Sequence, residues 1–281
     1  MRTSVHQPTH VSHATRHVSC ACFETASKGS MRKKPIVIAT SLFFVTTSIF
    51  TIIAEPSPAK PRASAVVARL AAAYPQVTAD GSKAIRFADG TTMTVDDGRE
   101  WNTYGELLDN ADLVDQLSTP YPPGCPVRVP EKNEDPGRLR YDPFFVQIYG
   151  SSAKAVSAKL TSVPWFGSSL QVTTVNGVDK KVKEIADELA GRKEWLKYLT
   201  TPGGGFNWRP IKNTNRRSVH SYGIAVDINV KQSDYWLNGG TYRNRIPCEI
   251  AEVFEKHGFV WGAKWFHFDT MHFEYRPELL G

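Results

Sequence analysis

His220, Asp227 and His272 are residue types from which a zinc site can be made. They stand in two short stretches, Ser218-Val219-His220-Ser221-Tyr222-Gly223-Ile224-Ala225-Val226-Asp227 and Asp269-Thr270-Met271-His272-Phe273-Glu274. Two imidazoles and one carboxylate hold a zinc ion and leave a fourth position for water. Asp269, three residues before His272, is placed by sequence to act as base on that water. The set predicts a metal-dependent hydrolase with one Zn2+ per chain.

These side chains need elements that aim them. Ile224 to Val230 alternates, which predicts a strand with Ile224, Val226, Ile228 and Val230 on a core face and Ala225, Asp227 and Asn229 on the other. Gly223 lets the chain turn and bring His220 over Asp227. By the same parity His272 and Glu274 share one strand face, while Phe273 and Tyr275 share the other. Asp269 has the wrong parity for that face and is expected on a turn before Met271. A single histidine is ordinarily a packed or surface residue, so the distribution is what counts. The four histidines after residue 30 are His220, His257, His267 and His272, all in or near the two motifs. His257 is expected in the last turn of a helix, where a cation suits the dipole. His267 either lines the cleft and supports the metal shell or packs among Trp265, Phe266 and Phe268.

Further elements follow from pattern. Residues 84–87 and 91–95 read as extended runs joined by an Asp89-Gly90 turn. Nine Pro and Gly residues between 120 and 143 predict an ordered linker or cleft wall. Ser151-Ser152 caps a helix running to about Leu160, and Leu170–Val175 reads as a strand closed by Asn176-Gly177. Apolar residues at helical spacing predict one amphipathic helix over about 178–200. Gly203-Gly204-Gly205 lacks the Lys-Ser/Thr of a phosphate loop and reads as a flexible turn into the site. Pro247 starts another helix, ended by Gly258.

Charge is distributed unevenly. Residues 1–65 hold eight Lys/Arg against two acids, which is the whole excess of +6, and residues 66–281 hold 26 of each. The folded part has no general basic excess to bind nucleic acid. A local patch at Arg209, Lys212, Arg216 and Arg217 remains. Met31-Arg32-Lys33-Lys34 followed by an apolar run from Ile36 to Ala54 has the form of a secretory leader. Residues 1–30 then read as a mis-called start or a disordered segment. Residues 31–65 read as signal peptide or membrane anchor plus Pro-rich linker, cleaved after Ala54 or Ala65 or, uncleaved, anchored through 35–54. Export to the periplasm or cell envelope is expected. Cys20 and Cys22 precede Met31, which leaves Cys125 and Cys248 as an even pair and a disulfide candidate.

The two motifs together resemble the M15 family of zinc peptidases, which includes D-alanyl-D-alanine carboxypeptidases, VanY-like and VanX-like enzymes and L-alanyl-D-glutamate endopeptidases. The resemblance extends over 145–281, including Gly258-Phe259-Val260-Trp261-Gly262 and the run from Met271 to Leu279. It implies an α+β fold, a compact domain with a central antiparallel sheet flanked by helices (the hedgehog-like DD-peptidase fold), behind a smaller region over 66–144. It implies His220, Asp227 and His272 as zinc ligands and Asp269 as general base. Phe206-Asn207-Trp208-Arg209 resembles the family segment whose arginine binds the substrate or the developing oxyanion. Ser218 would support the site by hydrogen bonding, as would Glu274 from the His272 face. Several relatives carry Glu where this chain has Asp269, a shorter arm with the same chemistry.

The expected activity is hydrolysis of peptide bonds in peptidoglycan stem peptides, by a D,D-carboxypeptidase or an L-Ala-D-Glu type endopeptidase. Two other readings use the same residues. A 2-His-1-carboxylate set also holds Fe(II) in oxygenases, although export and the Asp269 base weigh against that. The other is a zinc-stabilised wall-binding module without turnover.

Overall fold

The computed structural model describes residues 60–239 and 241–281. The leader-like segment, Cys20 and Cys22 lie outside the described residues. Among those described, no helix is long and apolar enough to cross a membrane.

The chain opens with helix α1 (Ala63–Ala73), whose Val66, Val67 and Leu70 face the core. Strands β1 (Val77–Asp80), β2 (Ala84–Phe87) and β3 (Thr92–Thr94) form an antiparallel sheet in the order 1-2-3. Its second hairpin turns at Asp89-Gly90, as expected. Two short helices follow, α2 (Tyr104–Asn110) and α3 (Leu113–Gln116), each opened by a capping box, at Thr103 and Asp112 respectively.

Residues 120–141 contain no regular element but are tied down as a wall. The Tyr121 hydroxyl and the Gly124 amide donate to Glu255 at 2.6 and 2.7 Å, and Lys264 Nζ donates to the Pro122 and Gly124 carbonyls. Cys125 is disulfide-bonded to Cys248, with Cα atoms 5.9 Å apart. The bridge spans 123 residues, so the double Cys125→Ser/Cys248→Ser variant should lose roughly 3–5 kcal/mol through the freer unfolded chain. Denaturant unfolding under oxidising conditions measures this. An unshifted midpoint would show that the other anchors hold the wall unaided.

Helices α4 (Asp142–Tyr149) and α5 (Ala153–Ser157) come next, then β4 (Leu160–Trp165) and β5 (Ser168–Thr173), an antiparallel pair. Ser152 caps α5 as its sequence suggests, but the helix is five residues long because Leu160 already belongs to a strand. The expected helix over 178–200 divides into α6 (Val178–Leu189) and α7 (Leu196–Leu199). Gly191 and the non-helical Arg192 (φ −101°, ψ 81°) break it. The apolar spacing persists across the break because Leu189 and Leu199 reach the same core.

The last sheet runs β6 (Ala225–Asp227), β8 (His272–Tyr275), β7 (Phe259–Trp261), all antiparallel. Helix α8 (Cys248–Lys256) packs on β7 and on α6, and α6 packs on β4 and β5. His257 caps α8 and pairs with Glu184 and Glu188. The fold is α+β, but its described strands fall into three small antiparallel sheets in place of one central sheet. β6 is short because the expected alternation ends early: Ile228 is buried, Val230 is 56% exposed, and Asn229 turns inward to cap the carbonyls of Lys197 and Thr200.

The N-terminal elements share the core with the C-terminal ones. A buried polar cluster joins them. Arg276 donates to Glu274 at 2.8 Å, to Glu278 at 2.6 Å and to the Gly137 carbonyl at 2.7 Å. Glu278 in turn accepts from Tyr74 and Gln116.

Candidate active site

β6 and β8 pair so that Asp227 stands opposite His272. His220 reaches them from a tight helical turn, Val219–Tyr222, closed by Gly223 in the left-handed region at φ +68°. A side chain at Gly223 would also meet Leu160 Cδ2 at 2.7 Å. The three candidate ligands therefore converge. His220 Nε2 lies 3.2 Å from His272 Nδ1, His272 Nδ1 lies 3.0 Å from Asp227 Oδ1, and His220 Nε2 lies 3.3 Å from the same oxygen.

Each imidazole is oriented by its other nitrogen. His220 Nδ1–H donates to the Gly205 carbonyl at 2.6 Å, and His272 Nε2–H donates to Glu274 Oε2 at 3.2 Å. These bonds aim His220 Nε2 and His272 Nδ1 at Asp227, and those two nitrogens, once deprotonated, present the lone pairs a metal requires. Four-coordinate zinc with bonds of about 2.0–2.1 Å needs its donors about 3.3 Å apart. The observed triangle fits that ion.

Electrostatics point the same way. Burial opposes ionisation of Asp227, but His220 and His272 outweigh it and hold the carboxyl well below the usual range. Burial likewise opposes a charge on His272, yet its hydrogen bonds to Asp227 and Glu274 push it up to about 10. Ionised carboxylates that hold a proton on the imidazole so firmly would also attract a dication in its place. Glu274 is fully buried, which disfavours its charge. The His272 bond, Arg140 and Arg276 reverse that and bring it down to about 2.

The Gly203–Gly205 segment is more constrained than a flexible turn. Gly203 N donates to Asp227 O and Asp227 N donates to Gly204 O, so the segment pairs with β6. It is squeezed against β5 on its other side. A Cβ on Gly205 would lie 2.2 Å from the Gln171 carbonyl oxygen. Gly205→Ala should therefore displace the carbonyl that orients His220 and weaken zinc binding about 10–100-fold. Competition with a coloured chelator reads this directly, and unchanged affinity would show that the carbonyl does not set the ring.

Asp269 lies on the turn before β8, as its parity requires. Its amide donates to Gly262 O, its neighbour Thr270 donates to Asp234 O, and it bridges to Tyr235. Asp269 Oδ1 is buried and without a hydrogen-bond partner among the described residues. Burial, and then the charge of Asp227, push Asp269 up to about 6.

A cavity of about 330 Å³ contains this group. His220, Asp227, Asp269, His272, Glu274, Ser218 and Arg209 all line it. Arg209 is exposed, and its amide donates to the Ser221 hydroxyl at 2.9 Å. That hydroxyl also donates to the Asn207 and Arg209 carbonyls, so Ser221 fastens the Arg209 segment to the His220 turn. Ser218, expected to support the site by hydrogen bonding, lines the cavity, but its amide donates to Arg209 O and to none of the three candidate ligands. His267 is not part of the cavity lining. Its amide and ring both bond Asp135, and it lies against Tyr104, Trp236 and Phe266. Asp135 on the Pro-rich wall draws it away from the three candidate ligands.

Sequence reasoning missed Arg138, Arg140 and Tyr235, which line the cavity, and Ser221 behind it. The available signal was the basic patch, three of whose members, Arg209, Lys212 and Arg216, line it.

Residues 212–275 match the family model of M15 peptidases described as D-alanyl-D-alanine carboxypeptidase. Over these residues the chain is similar to the M15 peptidases. No curated protein and no solved structure matches the chain. The M15 segment holds His220, Asp227, Asp269, His272 and Glu274, while Arg209, Arg138 and Arg140 stand before it.

Proposed function

We propose that this protein is an exported zinc peptidase that hydrolyses peptide bonds in peptidoglycan stem peptides, as a D,D-carboxypeptidase or an L-Ala-D-Glu type endopeptidase. The observation that carries the reading is the convergence of His220, Asp227 and His272 on one point, with the unpartnered Asp269 oxygen in the same cavity. The β6–β8–β7 sheet is then read as the centre of the DD-peptidase fold.

A zinc ion held by the trio would lower the pKa of a water and polarise the scissile carbonyl. Asp269 accepts a proton as the water oxygen bonds to the carbonyl carbon, then passes it to the amine as the C–N bond breaks. Arg209 donates to the oxygen that gains negative charge, an effect often worth about 3 kcal/mol per donor. Glu274 and the Gly205 carbonyl keep the imidazoles in register throughout. The leader-like segment supports export, which would bring the enzyme to its substrate. Left uncleaved, 35–54 would anchor it there.

Metal analysis of the purified full chain tests the cofactor. One zinc per chain, removed by chelator together with hydrolysis of a synthetic stem peptide and restored with it, is expected. Hydrolysis that survives complete zinc removal would contradict the reading.

A further inference from the structure

One wall of the cavity is built from cations. Arg138 and Arg140 come from the Pro-rich segment, and Arg216 from the loop before Ser218. Their side chains are 14%, 6% and 14% exposed. Among the described residues, the Nε of each is buried and without a hydrogen-bond partner. The three are interlocked through backbone carbonyls. Arg216 Nη1 donates to Arg138 O, and Arg140 Nη2 donates to Arg217 O, both at 3.4 Å.

The nearby carboxylates are engaged elsewhere. Glu274, 3.8 Å from Arg140, is bonded to His272 and Arg276. Asp135, 4.0 Å from Arg138 Nε, accepts from His267 and Tyr104. Asp142 accepts the Arg217 amide. Asp109, 3.4 Å from Arg216 Nε, is 65% exposed and so largely screened by solvent. Three like charges held together out of water are costly unless an anion joins them. Arg216 registers that cost: burial, and then Arg140 and Arg138, bring it down to about 10.

Guanidinium forks match the two oxygens of a carboxylate. The cavity, at about 330 Å³, is at the small end of ligand sites. We propose that Arg138, Arg140 and Arg216 form a carboxylate subsite that holds a free carboxylate of the peptide beside the scissile bond. The inference rests on the peptidase reading for the identity of its ligand. Two stem-peptide groups carry this chemistry, the C-terminal carboxylate of an acyl-D-Ala-D-Ala end and the α-carboxylate of D-Glu.

Binding and hydrolysis test the subsite separately. The full chain, stripped with chelator, is titrated with N-acetyl-D-alanine and N-acetyl-D-glutamine, each against its α-amide. At least one acid should bind 10-fold or more tighter than its amide. Arg216→Gln, and independently Arg138→Gln, should bring that acid down to the amide's level. Equal binding of both acids and their amides to the unsubstituted protein would overturn the proposal, whatever the variants do. The zinc-loaded full chain is then given acyl-D-Ala-D-Ala and an L-Ala-D-Glu peptide, each with the carboxylate free or amidated. The pair that shows the acid preference names the source of the carboxylate. If acids are preferred in binding but no peptide is cleaved, the subsite stands and the peptidase reading falls. If peptides are cleaved but neither assay distinguishes acid from amide, the reading stands and the subsite falls.

Discussion

Asp269→Asn should reduce hydrolysis by about 10²–10⁴-fold, the span that a positioned general base contributes, while the protein still binds one zinc. The substitution preserves shape and removes only the ability to take a proton. The Asp269 carboxyl bonds none of the trio in the described structure, and its backbone, held by Gly262, Tyr235 and the His272 amide, is untouched by the substitution, so the metal triangle should survive. The wild-type pH profile gives a second readout. A base works deprotonated, and burial with Asp227 places Asp269 at about 6. A dication at the trio offsets the Asp227 charge, so kcat/KM should fall as pH drops through about 6 or somewhat below. The residual rate of the Asn variant should lack that limb. A variant that kept full activity, or kept the limb, would assign the base elsewhere. A variant that binds zinc and cell wall like a wild type that itself lacks turnover would instead indicate the wall-binding module.

Glu274→Ala should be the most damaging single change to the fold around the site. It removes the anion beside the buried Arg276 and Arg140 and the acceptor that orients His272. Breaking a buried ion pair by deleting one partner costs about 3–5 kcal/mol, and losing the carboxylate behind a metal-bound histidine costs about 10–100-fold in affinity. Both can be read on one sample, by denaturant unfolding and by zinc competition. The same group gives the pH sense of stability. Its folded pKa, about 2, lies below the ordinary 4.5. Its contribution is therefore present above pH 4.5 and lost as pH falls toward 2. Unchanged unfolding midpoints in the alanine variant would show that Arg276 finds sufficient partners in Glu278 and the Gly137 carbonyl.

The candidate ligands were legible because their spacing reports strand parity. His272 and Glu274 are two residues apart and share a face, and Asp269 is out of phase and must lie on a turn. The hairpin at Asp89-Gly90 and the cap at Ser152 were legible for similarly local reasons. Long-range effects were not. The helix over 178–200 breaks at Gly191, although its apolar spacing continues, because both halves reach the same core. Val230 leaves the alternation because Asn229 is drawn to carbonyls more than twenty residues away in sequence. Arg138 and Arg140 lie some eighty residues before His220, and only the folding of the Pro-rich wall brings them to it. His267 went the other way, since its partner Asp135 lies on that wall.

Mass spectrometry of peptidoglycan fragments incubated with the full chain, with and without chelator, tests the central claim most directly. The account predicts a chelator-sensitive product whose mass shows loss of a terminal D-alanine or scission at L-Ala-D-Glu. Unchanged fragments from protein carrying one zinc per chain would contradict it.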